Sequence, residues 1–154
     1  MHVFKVLMVC LGNICRSPMA EGILRKHIEN AGIKAIVDSA GTADYHTGEP
    51  PDLRAVATLR GKGIDISGLS ARQFSVRDFD EFDIIYVMDS SNLNNVLSIA
   101  RNDQDRAKVQ LILNLINPGM NRTVPDPFYD DISGFESVYK LLDQVSAAIV
   151  SQLK

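Results

Sequence analysis

The chain has 154 residues, of which 45% are hydrophobic and 23% charged, the composition of an ordinary globular domain rather than of a disordered, collagen-like or repeat-built chain. Lys and Arg total 16 against 19 Asp and Glu, a formal charge of −3, and with no long basic run this balance argues against nucleic acid as a main partner. At this length a single core over residues 1–154 is expected to bury roughly two thirds of the unfolded surface without a metal or disulfide staple.

The first strand is expected from Val3 to Val9, a near-continuous apolar run of the kind buried on both faces of a parallel sheet. The run from Met1 lacks the long apolar stretch and small-residue cleavage site of a secretory signal. No segment reaches the roughly 18 apolar residues of a membrane span. A helix follows, with Ser17 as N-cap, Pro18 at the first helical position, and Ala20, Ile23, Leu24, His27, Ile28 and Ala31 on one face before Gly32. Ala35 to Asp38 reads as a short second strand, and a polar loop from Ser39 runs to Pro51. Leu53, Val56 and Leu59 then space a helix that ends near Gly61 and Gly63. Phe82 to Met88 is the next strand, Asp89-Ser90-Ser91 caps a helix over Asn92 to Ala100, and Lys108 to Leu113 is a fourth strand. The proline-marked stretch from Asn117 to Ser133 is a long loop, the kind that in a compact domain is usually functional. Ser133 and Glu136 form a capping box for a C-terminal helix carrying Val138, Leu141, Leu142, Val145, Ile149 and Leu153.

Strands alternating with helices give an α/β domain whose parallel sheet is covered on both faces, and ligands of such sheets bind beyond the carboxyl ends of the strands. The loops that begin at Cys10, Ser39, Asp89 and Leu113 are therefore the ones expected to carry chemistry. The first, Cys10 to Pro18 (CLGNICRSP), joins the first strand to the first helix. A short loop there turns the N–H groups of Leu11, Gly12, Asn13, Ile14, Cys15, Arg16 and Ser17 toward one point, and the helix terminus adds positive potential. Gly12 and Asn13 tolerate the left-handed backbone that a cupped loop needs. Arg16 presents a planar fork for two phosphate oxygens. Cys10, at the other end of the loop, would lie under the phosphorus with its sulfur among the same donors, which favour a nucleophilic thiolate. A cysteine ending a buried strand is also an ordinary small apolar residue. A cysteine, five intervening residues, an arginine and then Ser or Thr arise by chance on the order of once per hundred chains of this length. No Gly-Lys-Ser/Thr is present, so a Walker-type loop is excluded.

With CLGNICRSP, Asp38-Ser39-Ala40-Gly41-Thr42, Gly48-Glu49-Pro50-Pro51-Asp52, Ala71-Arg72-Gln73, Met88-Asp89 and Asp126-Pro127-Phe128-Tyr129-Asp130, the chain closely resembles the low-molecular-weight protein tyrosine phosphatases along nearly its whole length. The resemblance implies a flavodoxin-like fold with four parallel strands in order 2-1-3-4, no metal or other cofactor, and a phosphocysteine intermediate on Cys10. It assigns Asp126, otherwise a plausible turn residue between Pro125 and Pro127, as the acid that protonates the leaving oxygen and the base that then activates water. Its substrates would be phosphotyrosine proteins and aryl phosphates, with inorganic phosphate or vanadate as inhibitors.

Supporting roles are expected for Ser17, as a donor to the Cys10 sulfur or as the helix cap, for Ser39, in the site or in a turn, and for Asp89, orienting Arg16 or capping the next helix. Ile14, Tyr45, Phe128 and Tyr129 would wall an aromatic slot or merely cover the loop hinges. The resemblance gives Cys15 a redox partnership with Cys10, against a packing role. Two cysteines only, five positions apart, fit a reducing, cytoplasmic setting better than a disulfide framework. Where many members carry a histidine shortly before Ala-Arg-Gln, this chain has Gly68-Leu69-Ser70, which leaves the anchor of Asn13 to be found.

Three rivals share the loop. An arsenate reductase needs later cysteines to resolve its intermediate, and none follows Cys15. The phosphoarginine phosphatases typically have threonine at the place of Ile14. A silent phosphotyrosine-binding module would need Arg16 but not both Cys10 and Asp126.

Overall fold

Residues of the first strand alternate between two apolar layers. The computed structural model describes residues 2–154, and in it β1 (Phe4–Cys10) sends Val6, Met8 and Cys10 into one cluster and Leu7 and Val9 into another. The first cluster includes Met19, Ile23 and Leu24 of α1 (Arg16–Ala31), Val56 and Leu59 of α2 (Leu53–Arg60), and Phe135, Val138 and Leu142 of α6 (Ile132–Leu153). The second holds Phe79 of α3 (Asp78–Glu81) and Val96 of α4 (Ser90–Ser98). A strand buried on both sides in this way reads as a continuous apolar run.

The sheet is parallel throughout, with β1 between β2 (Ala35–Gly41) and β3 (Ile84–Val87), and β4 (Val109–Leu111) outside β3. The order is thus 2-1-3-4, as the resemblance implied. In this α/β flavodoxin-like arrangement Cys10 is paired with Gly41 at the carboxyl edge of β1 and β2. Among the described residues no helix is long and apolar enough to cross a membrane.

Several local expectations shift. Helix α1 starts at Arg16 with Cys15 at its N-cap position, so Ser17 lies inside the first turn and its hydroxyl is free for other partners. The cap of α6 is Asp131, whose carboxylate accepts from the N–H of Ser133; a carboxylate two residues earlier takes the place expected of Ser133. Strand β4 stops at Leu111, and Ile112–Leu115 winds into a 3-10 turn. Two short helices, α3 and α5 (Asp103–Ala107), lie in stretches too brief for an apolar period to show. His27 is half-buried and bonds Asp143 of α6 at 2.7 Å, so its place on the apolar face is that of a polar clasp.

Gly41 fixes how closely the loop after Cys10 lies on the sheet. A Cβ there would stand 2.7 Å from the Leu11 carbonyl oxygen and 3.1 Å from the Asn13 nitrogen, and both contacts are rigid backbone. Gly41→Ala is therefore expected to lose about 1–3 kcal/mol of stability, the usual range for overpacking, and several degrees of Tm. Thermal unfolding with and without inorganic phosphate should show the loss together with a weakened stabilisation by phosphate.

Candidate active site

The loop from Cys10 to Arg16 is held from outside by its carbonyls. Those of Cys10 and Leu11 accept from Thr42 and Ala43, each at 2.9 Å, and that of Ile14 accepts from Asp52 at 2.8 Å. Among the described residues no backbone carbonyl takes up the N–H groups from Leu11 to Arg16. With the carbonyls turned outward and the N–H groups left over, the loop is a concave nest for an anion. Asn13 supplies the turn, with φ of +58°. Gly12 does not adopt left-handed backbone; glycine fits there because a Cβ would stand 3.0 Å from Cδ2 of His46.

The anchor of Asn13 is the backbone of Arg72. Its N–H donates to Asn13 Oδ1 at 3.0 Å, while Asn13 Nδ2 donates to Ser17 Oγ at 2.7 Å and Ser39 Oγ at 3.0 Å. Ser39 in turn donates to Glu21 Oε1 at 2.7 Å. The Ser17 hydroxyl lies 3.0 Å from Cys10 Sγ. The hydroxyl accepts from Asn13 and keeps one proton of its own, for which the Cys10 sulfur and the Ala40 carbonyl, 3.4 Å away, are the acceptors within reach. Glu21 is buried, which pushes its carboxyl upward against the opposing effects of the Ser39 hydroxyl and the Arg25 guanidinium.

Arg16 is 3% exposed and fixed at one end only. Its Nη1 donates to Asp89 Oδ2 at 2.8 Å and to the Val124 carbonyl at 3.0 Å, leaving Nε and Nη2 as a free edge for two oxygens of one anion. Asp89 does both things considered for it, since its other oxygen accepts from Asn92 N–H at the start of α4. Asp126 faces the free edge, with Oδ2 3.6 Å from Arg16 Nη2. Its Oδ1 accepts from the Phe128 N–H at 3.1 Å, capping a 3-10 turn at Pro127–Tyr129.

These groups enclose a cavity of about 160 Å3 lined by Cys10, Arg16 and Asp126 at its polar end and by Ile14, Tyr45, Phe128 and Tyr129 along its walls. Phe128 and Tyr129 meet edge to face with ring centroids 5.0 Å apart, a favourable arrangement. Cys15 also lines the cavity. Burial, followed by the Asp52 carboxylate and Cys10, pushes its thiol far above the ordinary range. Among the described residues no cluster of His, Cys, Asp or Glu is placed to hold a metal ion.

Four residues here had no role in the site from the sequence. His46 lines the cavity with Nδ1 3.0 Å from Glu49, and Glu21 and Arg72 belong to the wiring of Asn13. Arg54 is the fourth: its fork grips Asp52 at 3.0 and 2.9 Å, and the same guanidinium donates to the carbonyls of Phe128 and Asp130, each at 2.8 Å. It also stands 4.7 Å from the centre of the Phe135 ring, within range of a cation–π contact. Hydrogen bonding from Arg54 holds the Asp52 carboxyl below the usual carboxylate range. The late loop is thereby tied to the N-terminus of α2, and through the Asp52 N–H to the phosphate loop itself.

A family model for low molecular weight phosphotyrosine protein phosphatase matches residues 5–154. A Schizosaccharomyces pombe protein of that name is 45% identical over 138 residues, 88% of this chain and 87% of its own. A crystal structure of protein tyrosine phosphatase from Entamoeba histolytica with Hepes in the active site has a TM-score of 0.91 at 34% identity, covering 97% of this chain and 96% of that one. Vibrio vulnificus Wzb in complex with benzylphosphonate has a TM-score of 0.87 at 28% identity, covering 99% and 100%. The matched span contains β1 from Lys5 onward, the other three strands, the Cys10–Arg16 loop and the late loop, and the chain belongs to the low molecular weight phosphotyrosine protein phosphatase family.

Proposed function

We propose that the chain hydrolyses phosphotyrosine and other aryl phosphate monoesters through a phosphocysteine intermediate on Cys10. The observation that carries this reading is one cavity that brings together the Cys10 sulfur, the unpartnered N–H nest with the free edge of Arg16, and the carboxyl of Asp126. The nest and Arg16 hold the three non-bridging oxygens, and the Cys10 thiolate attacks phosphorus from below. As the phosphorus–oxygen bond breaks, the Asp126 carboxyl gives its proton to the phenolic oxygen. Tyrosine leaves; the Asp126 carboxylate then takes a proton from water, whose oxygen attacks phosphorus and expels the Cys10 thiolate. The Ser17 hydroxyl stabilises that thiolate as it returns. Free phosphate and vanadate fit the same nest and would compete with substrate.

The walls favour a flat aromatic group. A ring between Tyr45 and the Phe128–Tyr129 pair gains about 0.5–1.5 kcal/mol per favourable contact, and Wzb, 28% identical, is a relative solved with the aryl compound benzylphosphonate. Phosphotyrosine proteins are thus the proposed partners, met in the reducing cytoplasm that two free cysteines suit.

Cys10→Ser is expected to abolish turnover of p-nitrophenyl phosphate while phosphate binding persists. Asp126→Asn should slow esters of poor leaving groups about a hundredfold or more and activated esters much less. Normal turnover in the first variant, or a loss independent of the leaving group in the second, would contradict the assignment.

Arg54 acts on Asp126 from a distance by holding the Phe128 carbonyl inside the turn that Asp126 caps and the Asp130 carbonyl just past it. Arg54→Lys cannot span Asp52 and both carbonyls with one ammonium. Its kcat should fall about tenfold with poor leaving groups, less with good ones, and KM should change little. A loss equal for all leaving groups would assign Arg54 to stability alone.

Cys15 is proposed as the redox partner of Cys10. Peroxide would convert the Cys10 thiolate to a sulfenic acid with release of hydroxide. The Cys15 sulfur then forms the disulfide as that oxygen departs as water, and a thiol reductant restores both cysteines. The raised thiol of Cys15 directs the first oxidation to Cys10. Reversible inactivation with a Cys10–Cys15 linked peptide by mass spectrometry is expected, and in Cys15→Ser the same dose should leave less activity recoverable.

A further inference from the structure

Beside the catalytic cavity lies a larger hollow of about 580 Å3, to which the hydrolysis itself assigns no task. Leu11 and Tyr45 line both spaces, so the wall of one is the wall of the other. From there the hollow runs past Thr42 and Asp44 to Asn95 and Ile99 at the C-terminal end of α4. Apolar side chains are presented to solvent along this path, with Leu11 39%, Tyr45 73% and Ile99 42% exposed.

Its charge has one sign. Among the described residues Asp44 is the only charged one lining the hollow. The hydrogen bonds at Asp44 come from the hydroxyl and N–H of Thr47 and end on its main-chain carbonyl, at 3.1 and 3.3 Å, which leaves the carboxylate to solvent. Helix α4 ends against the same space with no basic residue in its last turn. The partial negative charge of its terminal carbonyls therefore adds to that of Asp44.

We infer that this hollow receives the polypeptide flanking the phosphotyrosine of a protein substrate, and that it selects Lys or Arg there over Asp or Glu. The inference rests on the phosphatase reading and adds a specificity determinant to it. An extended chain advances about 3.3 Å per residue with alternate side chains on opposite faces. Once the phosphorylated ring lies against Tyr45, a side chain within a few residues must therefore pass over the far side of the same wall. There it meets apolar surface for its methylene stem and a free carboxylate for its charge, the division of labour that long basic side chains exploit. A small aryl phosphate ends inside the catalytic cavity and never reaches the hollow.

The test compares two phosphotyrosyl peptides, identical except that the positions on either side of the phosphotyrosine carry Lys in one and Glu in the other, with p-nitrophenyl phosphate as the reference substrate. Wild type should favour the Lys peptide in kcat/KM by about three- to fivefold, the scale of one exposed charge contact. The preference should shrink in 1 M salt, where the screening length is roughly 3 Å. Asp44→Lys should abolish or invert it with p-nitrophenyl phosphate turnover unchanged. Asp103→Lys, at a carboxylate exposed on α5, makes the same change in net charge and should keep it. Equal rates for the two peptides, an unchanged preference in Asp44→Lys, or the same loss in Asp103→Lys would each overturn the inference. Failure of wild type to hydrolyse p-nitrophenyl phosphate would remove the phosphatase reading and this inference together, a result distinct from the other three.

Discussion

The carboxyl edge of the sheet depends on the side-chain amide of Asn13. Its backbone makes the left-handed turn that cups the phosphate loop, and its amide is satisfied in one orientation only. The oxygen meets an N–H, that of Arg72, and the nitrogen meets two hydroxyls, those of Ser17 and Ser39. Flipping the amide would set an N–H2 against the Arg72 N–H and waste a buried donor, a cost of about 1–3 kcal/mol. Because both hydroxyls accept from Asn13, each has its own proton left to give. That of Ser39 goes to Glu21, and that of Ser17 has the sulfur and the Ala40 carbonyl within reach. One amide thus orders a polar network that reaches from the Cys10 sulfur to a buried carboxyl on α1.

Two arginines divide the remaining work. Arg16 has one nitrogen committed to Asp89 and the Val124 carbonyl, so its free edge is preset rather than found when an anion arrives. Arg54 is committed wholly to protein: a carboxylate on one side and two carbonyls on the other. Asp52 joins the two systems, since its N–H holds the Ile14 carbonyl of the phosphate loop and its carboxylate holds Arg54. Movement of the late loop and deformation of the phosphate loop are therefore mechanically linked through one residue.

What the sequence made legible is what is local. The apolar run of β1, the CLGNICRSP loop and the period of α6 each sit within one element, and the resemblance supplied the strand order. Asp126 came into view through the resemblance too, since between Pro125 and Pro127 it otherwise reads as a turn residue. The partners of Asn13 lie 4, 26 and 59 residues away, and no periodicity marks such a spacing. Arg54 looked like one more charged residue on a helix for the same reason, since its carbonyl partners are 74 and 76 residues distant. Gly12 shows a different limit. A glycine in a loop suggests unusual backbone, whereas here it makes room for the side chain of His46, a neighbour that only the fold reveals.

The contacts of Arg16 span 73 residues to Asp89 and 108 to the Val124 carbonyl. Such long loops close late, because chain entropy must be overcome before the contact repays it. A chain emerging from synthesis has made Cys10 and its loop long before β3 exists or the late loop has been added. During that interval the thiol sits on an unfinished strand, with Arg16 unheld and Asn13 without its Arg72 partner. The setting of this sulfur, with Arg16 held beside it and Asn13 anchored, is therefore a property of the completed topology, acquired when the last segments dock.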